Sequence, residues 1–130
     1  MKTSELQGAA LDWAVAKAHG LEWALAKNNA GGLSYDAGLH GNLFADNIDL
    51  PGRYRRYNPS TDWAQGGPII ERENVGIVCQ QPESTQRCAY RQTNDGEVFY
   101  YYGSTPLIAA MRCFVASKLG DDVEIPQELL

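Results

Sequence analysis

A chain of 130 residues, 44% hydrophobic and 21% charged, has the size and composition of one globular domain, which excludes wholesale disorder. Eleven Lys+Arg against sixteen Asp+Glu leave a formal charge of −5, which disfavours a general nucleic-acid binder that coats phosphate. No apolar run approaches the roughly 20 residues of a membrane span, and Met1-Lys2-Thr3-Ser4-Glu5 lacks the apolar stretch of a signal peptide, so neither a membrane protein nor an exported one is expected.

Cys79, Cys88 and Cys113 form no Cys-x-x-Cys pair, and an odd number of cysteines without a signal peptide fits reduced thiols in a cytoplasm. His19 and His40 have no metal-ligand spacing around them. No metal and no cofactor is implied.

Residues 4–19 read as a helix. Ser4 and Gln7 fit a capping box, and Gly20 sits where a left-handed terminator belongs. Leu11, Ala14, Val15 and Ala18 form an apolar stripe, which Leu6, Ala10 and Trp13 broaden. The motif Leu11-Asp12-Trp13-Ala14-Val15-Ala16-Lys17 then recurs as Leu21-Glu22-Trp23-Ala24-Leu25-Ala26-Lys27. Two copies are too few for a repeat array. They read as a local duplication forming a second helical segment, or as a groove flanked by Trp13 and Trp23.

Residues 28–62 read as a long irregular loop, punctuated by Gly31, Gly32, Gly38, Gly41, Pro51 and Gly52. Within it, Arg53-Tyr54-Arg55-Arg56-Tyr57 concentrates positive charge in an acidic protein. Next, Asn58, Ser60, Thr61 and Asp62 can cap turns, and Gly66-Gly67 permits close backbone approach. Two readings stand for 53–68: a well-knit loop with Trp63 plugged into the core, or a recognition loop gripping an anion or a protein. Burial of Trp63 would make its truncation cost roughly 3–5 kcal/mol.

Residues 75–102 read as a three-stranded antiparallel meander with strands near 75–80, 87–92 and 97–102. Pro82-Glu83-Ser84-Thr85 and Asp95-Gly96 form its turns. Tight turns there place Cys79 opposite Cys88 and Tyr90 opposite Tyr101. Val75, Ile77, Cys79, Cys88, Tyr90, Phe99 and Tyr101 then share the core face, with Arg91, Val98, Tyr100 and Tyr102 on the other. Residues 105–119 are the clearest helix: Thr105 caps it, Pro106 opens it and Gly120 ends it. Its start, Gly103-Ser104-Thr105, is a weak anion-site signal without a Gly-rich fingerprint. The acidic tail, with Asp121, Asp122, Glu124 and Glu128, reads as solvated.

Three stretches together carry a resemblance. They are Thr3-Ser4-Glu5-Leu6 with Ala10 to Lys17, Tyr57 to Glu71 (Tyr-Asn-Pro-Ser-Thr-Asp-Trp-Ala-Gln-Gly-Gly-Pro-Ile-Ile-Glu), and Ser104 to Cys113 followed by Ala116 to Gly120. With these motifs the chain resembles the small NinX-like proteins of tailed phages and prophages of enteric bacteria over nearly its whole length. The second Trp motif at Leu21–Lys27 departs from the usual single copy. The resemblance implies a phage accessory protein in the host bacterial cytoplasm, and it supplies no activity and no catalytic residue.

The expected architecture is α+β, a single domain over 1–130. It comprises a helical part at 1–30, a long ordered loop at 31–74, and the meander with its packed C-terminal helix at 75–130. The leading functional reading is an interaction module for a host or phage protein. The alternative is a small-molecule or nucleotide site built on Arg53, Arg55, Arg56 and Trp63. Candidate binding residues are Arg53, Tyr54, Arg55, Arg56, Tyr57, Asp62, Trp63, Gln65, Tyr100 and Tyr102. An enzyme is the weakest reading, because no paired acid/base or nucleophile arrangement stands out.

Overall fold

The computed structural model of the chain describes residues 1–29, 31–44, 54–78, 86–92 and 94–130. Their elements are α1 (Gly8–Ala18), β1 (Ala26–Lys27), β2 (Leu33–Asp36), α2 (Ala37–Phe44), β3 (Tyr54–Tyr57), α3 (Trp63–Arg72), β4 (Gly76–Val78), β5 (Arg87–Gln92), β6 (Val98–Gly103) and α4 (Pro106–Leu119). Two antiparallel sheets, β1-β2-β3 and β4-β5-β6, combine with the helices in an α+β fold, as the sequence predicts.

The C-terminal helix α4 matches its expected bounds. Thr105 Oγ1 accepts from Ile108 N–H at 3.1 Å, and Gly120 takes φ +87° at the end. Met111, Cys113, Phe114 and Val115 on α4 are fully buried among Leu6, Leu11, Ala14 and Val15 from the N-terminal segment and Ala89 from the sheet. A second cluster joins Ala16 of α1 to Leu33 and Tyr35 of β2 and Tyr57 of β3, so α1 contributes to both clusters.

The first helix starts later than predicted. Thr3–Glu5 form a single 3₁₀ turn, Ser4 gives no capping bond, and α1 opens at Gly8 with φ +58°. Leu6 between them is fully buried, which pins the turn against the core instead of continuing the helix. The second Trp motif is not a helix either. A 3₁₀ turn at Glu22–Ala24 leads straight into β1. Trp23 is exposed, donates to Gly20 O at 3.0 Å and meets the His40 ring edge-on at 5.2 Å.

The expected long loop instead carries β2, α2 and β3, which complete the sheet that β1 begins, and α3 follows. Leu33-Ser34-Tyr35 alternates buried and half-buried, and Tyr57 closes the same buried face opposite Leu33. The strands are two to four residues long, too short for their alternation to stand out in the sequence. Asp62 caps α3 by accepting from Ala64 N–H at 3.0 Å. That capping turns Trp63 outward as the first helical residue, 54% exposed, so the expected buried plug is not formed.

In the meander, the outer strands face as predicted and the middle strand is reversed. Observed partners are Ala89 with Ile77 and Tyr101, and Tyr90 with Gly76 and Tyr100. Ala89, Arg91, Phe99 and Tyr101 therefore point towards α4, while Cys88 and Tyr90 join Tyr100 and Tyr102 outside. Gly96 takes positive φ and Asp95 does not, so Asp95-Gly96 does not make the two-residue turn that needs both. Packing favours the observed register. Ala89 is small enough to lie flush on α4, and Arg91 reaches Glu73 O, Glu73 Oε2 and Ser117 Oγ at 2.9, 3.2 and 2.8 Å. Tyr90 lies over Gly76, where a Cβ would stand 2.3 Å from its ring. Cys79 and the turn at Pro82–Thr85 lie outside the described residues.

The four acids of the tail are exposed, as expected, but its apolar residues pack. Val123 is buried in the first cluster, Ile125 lies against it, and Leu129 lies against the second.

Candidate functional site

Of the arginine run, Arg53 lies outside the described residues. Arg55 and Arg56 are consecutive on β3 and so project to opposite faces of the sheet. Arg55 pairs across to Tyr35 on the inner face and is half-buried; Arg56 pairs with Ser34 on the outer face and is exposed. The described arginines therefore do not converge on one anion. Tyr54 is exposed and Tyr57 buried by the same alternation.

Asp62 and Gln65 hold the β3–α3 connection together. Gln65 Oε1 accepts from Asn58 N–H at 3.0 Å, and its Nε2 lies 3.0 Å from Arg56 O, 2.9 Å from Asn58 Oδ1 and 3.1 Å from Asp62 Oδ2. Asn58 Nδ2 donates to Thr61 Oγ1 at 3.1 Å. At the start of α4, the Thr105 cap occupies the helix end where the sequence allows an anion.

The knit connection forms one wall of a pocket of about 280 Å³. Gly8, Ala9 and Asp12 of α1 form another wall, and Gly31, Gly32 and Leu33 of the β1–β2 turn a third. Arg56, Tyr57, Asn58 and Thr61 complete it. Asp12 is only 5% exposed, and its Oδ1 accepts from Ser60 N–H at 2.8 Å. Burial pushes the Asp12 carboxyl up to about 6, opposed in part by the Ser60 side chain and backbone N–H. Burial, then the Asp12 charge, raises the neighbouring Tyr57 phenol as well. Sequence reasoning named Arg56 and Tyr57 here but missed Asp12. Its signal is an acid inside the alanine-rich run Ala9 to Ala18, where a solvated face would show more than one polar residue per turn.

On the far side of the second sheet, Tyr90, Tyr100 and Tyr102 are 40%, 59% and 50% exposed, with Val78 and Val98 beside them. Tyr90 and Tyr100 are cross-strand partners with ring centroids 6.2 Å apart. Among the described residues Gly76, Val78, Cys88, Tyr90, Gln92, Val98, Tyr100 and Tyr102 make up this face, and none of them is charged.

Among the described residues no group of three or more His, Cys, Asp or Glu is placed to hold a metal ion. No described helix is long and apolar enough to cross a membrane. Comparison with curated proteins finds no match. Residues 2–118 match the family described as Bacteriophage P22, NinX, and the chain belongs to that family.

Proposed function

We propose that this NinX-family phage protein is an interaction module. It folds as one domain and binds a phage or host protein in the infected bacterial cytoplasm. The observation that carries the reading is the outer face of β4-β5-β6. Three tyrosines stand in adjacent registers on a face with no charged side chain among its described strand residues, each less than two-thirds buried. Tyrosine offers large contact area with few rotamers to freeze and a hydroxyl to satisfy, so protein interfaces are rich in it. The α4 backing favours a pre-organised surface, because Ala89 and Cys113 lock the sheet from behind.

The test is capture from infected cells, identification of the captured protein, and binding between the two purified proteins. Tyr100→Ser with Tyr102→Ser is expected to weaken that binding by at least about tenfold, as loss of interface anchors does. Its thermal melt should fall only modestly, by the equivalent of about 1–2 kcal/mol, because each ring is at least half in solvent and only the Tyr90–Tyr100 contact is lost. Undiminished binding by the double variant would refute the reading.

A further inference from the structure

The size and chemistry of the outer face of β4-β5-β6 select the kind of chain that can dock on it. We propose that its occupant is a proline-rich extended segment of the partner protein, held in the polyproline II conformation, an inference that rests on reading this face as the contact surface.

Size comes first. The sheet has three strands, and β5 and β6 are each six residues long, so the face is a strip of roughly 10 by 20 Å. A globular partner or a second copy of this chain needs about 800 Å² from each side, several times what the strip supplies. One extended chain of about six or seven residues covers it, since polyproline II rises about 3.1 Å per residue. Chemistry narrows the choice. None of the described strand residues on the face is charged, so a charged segment would lose hydration there without a counter-charge. Tyr90, Tyr100 and Tyr102 spend no hydroxyl on a hydrogen bond to the described residues, which leaves three donors for carbonyls of a docked chain. A helix offers none, because its carbonyls bond within the helix. A β-segment brings N–H groups too, and a sheet face, unlike an edge, has no backbone to receive them. Polyproline II leaves its carbonyls open, and proline has no N–H to bury. Proline rings also pack on aromatic side chains. Tyr90, lying over Gly76, and Tyr100, with centroids 6.2 Å apart and planes inclined at 37°, give the relief for that packing.

The experiment is amide NMR on the full chain, titrated with end-capped decaproline to about 5 mM, enough to populate millimolar complexes. Decaproline is expected to shift the Tyr90, Val98, Tyr100 and Tyr102 amides, and an end-capped Gly-Ser peptide of the same length to leave them in place. Tyr100→Phe with Tyr102→Phe keeps both rings and should weaken decaproline at least about threefold, through the lost hydroxyls. Tyr100→Ser with Tyr102→Ser should remove the shifts while the rest of the spectrum stays dispersed. Absence of outer-face shifts with decaproline would overturn the proposal. So would equal shifts from the Gly-Ser peptide, or wild-type affinity in either double variant. The captured protein judges the interaction module separately. If the double serine variant loses that protein while decaproline leaves the wild-type spectrum unmoved, the face is a contact surface and the proline-rich occupant alone is refuted.

Discussion

Asp12 illustrates how a single residue can sit at a place that stability alone would not choose. Its carboxyl titrates near 6 in the folded chain against 3.8 ordinarily, because burial disfavours the charge. The folded state therefore holds an extra proton between those values, and stability falls as pH rises through that window. Above pH 6 the side chain is charged in both states, and the full penalty, about 3 kcal/mol, is present. Asp12→Asn keeps an acceptor for Ser60 N–H and removes the charge. It is expected to gain up to about 3 kcal/mol over wild type at pH 8 and almost nothing at pH 4, read from paired urea melts. An equal gain at both pH values would show that the charge is not the source. Trp63 makes the opposite point. It is large and apolar, yet Trp63→Ala is expected to change stability by less than about 1.5 kcal/mol, because over half of the side chain is already in water. A melt lowered as far as a core truncation lowers it would contradict that. Side-chain size identified Trp63 in the sequence, but its direction depends on the helix that Asp62 starts, one residue earlier.

At the scale of elements, α3 packs through an absence of side chain. A Cβ on Gly66 would lie 2.5 Å from Pro59 O and from Leu107 Cδ1, and Leu107 is itself buried. A Cβ on Gly67, the next residue, would meet nothing within 4 Å. Both positions are helical, so alanine gains about 0.5–1 kcal/mol of propensity at each. At Gly67 the Cδ of Pro68 crowds a Cβ on the helical residue before it and offsets that gain, so Gly67→Ala is expected to change stability by less than about 1 kcal/mol. At Gly66 overpacking of about 1–3 kcal/mol exceeds it, and Gly66→Ala is expected to destabilise. Chemical melts in which Gly66→Ala is no less stable than Gly67→Ala would refute this account of the packing. The same contrast shows what a sequence reveals about elements. The α4 helix was legible because cap, proline, apolar face and terminal glycine agree over fourteen residues. The meander was legible as three strands, and the outer two in their facing. The middle strand was not, because a one-residue change at each connection reverses its faces, and close packing of Ala89 on α4 decides it. The first sheet was hidden by strands too short to show a period, and the pocket because its walls come from α1, the β1–β2 turn and the β3–α3 connection.

At the scale of the molecule, residues 120–130 act as a clasp, although the family match ends at residue 118. Thr3 is fully buried; its N–H donates to Asp121 O at 2.8 Å and its Oγ1 to Gly120 O at 2.7 Å. Lys2 and Asp122 form an antiparallel bridge, and Tyr101 Oη donates to Asp121 Oδ1. Val123 then enters the cluster around α4, Ile125 covers its edge, and Leu129 reaches the cluster around β2 and β3. Lys27 of β1 donates to Glu128 O at 2.9 Å. The segment thus touches both hydrophobic clusters and both sheets, despite its acidic composition. Burying one valine and two part-covered aliphatic side chains, with the Thr3 bonds, contributes about 4–5 kcal/mol. That is a large share of the roughly 5–15 kcal/mol that holds a domain folded. A chain ending at residue 120 is accordingly expected to lose at least about 3 kcal/mol in urea melts. Its amide exchange should accelerate in β2 as well as in α4, because the segment packs on both clusters. Removing Leu130 alone, which is 70% exposed, should leave the melt unchanged. Exchange that quickens only near the cut, with an unaltered melt, would mean that the segment rests on the surface without holding the clusters together.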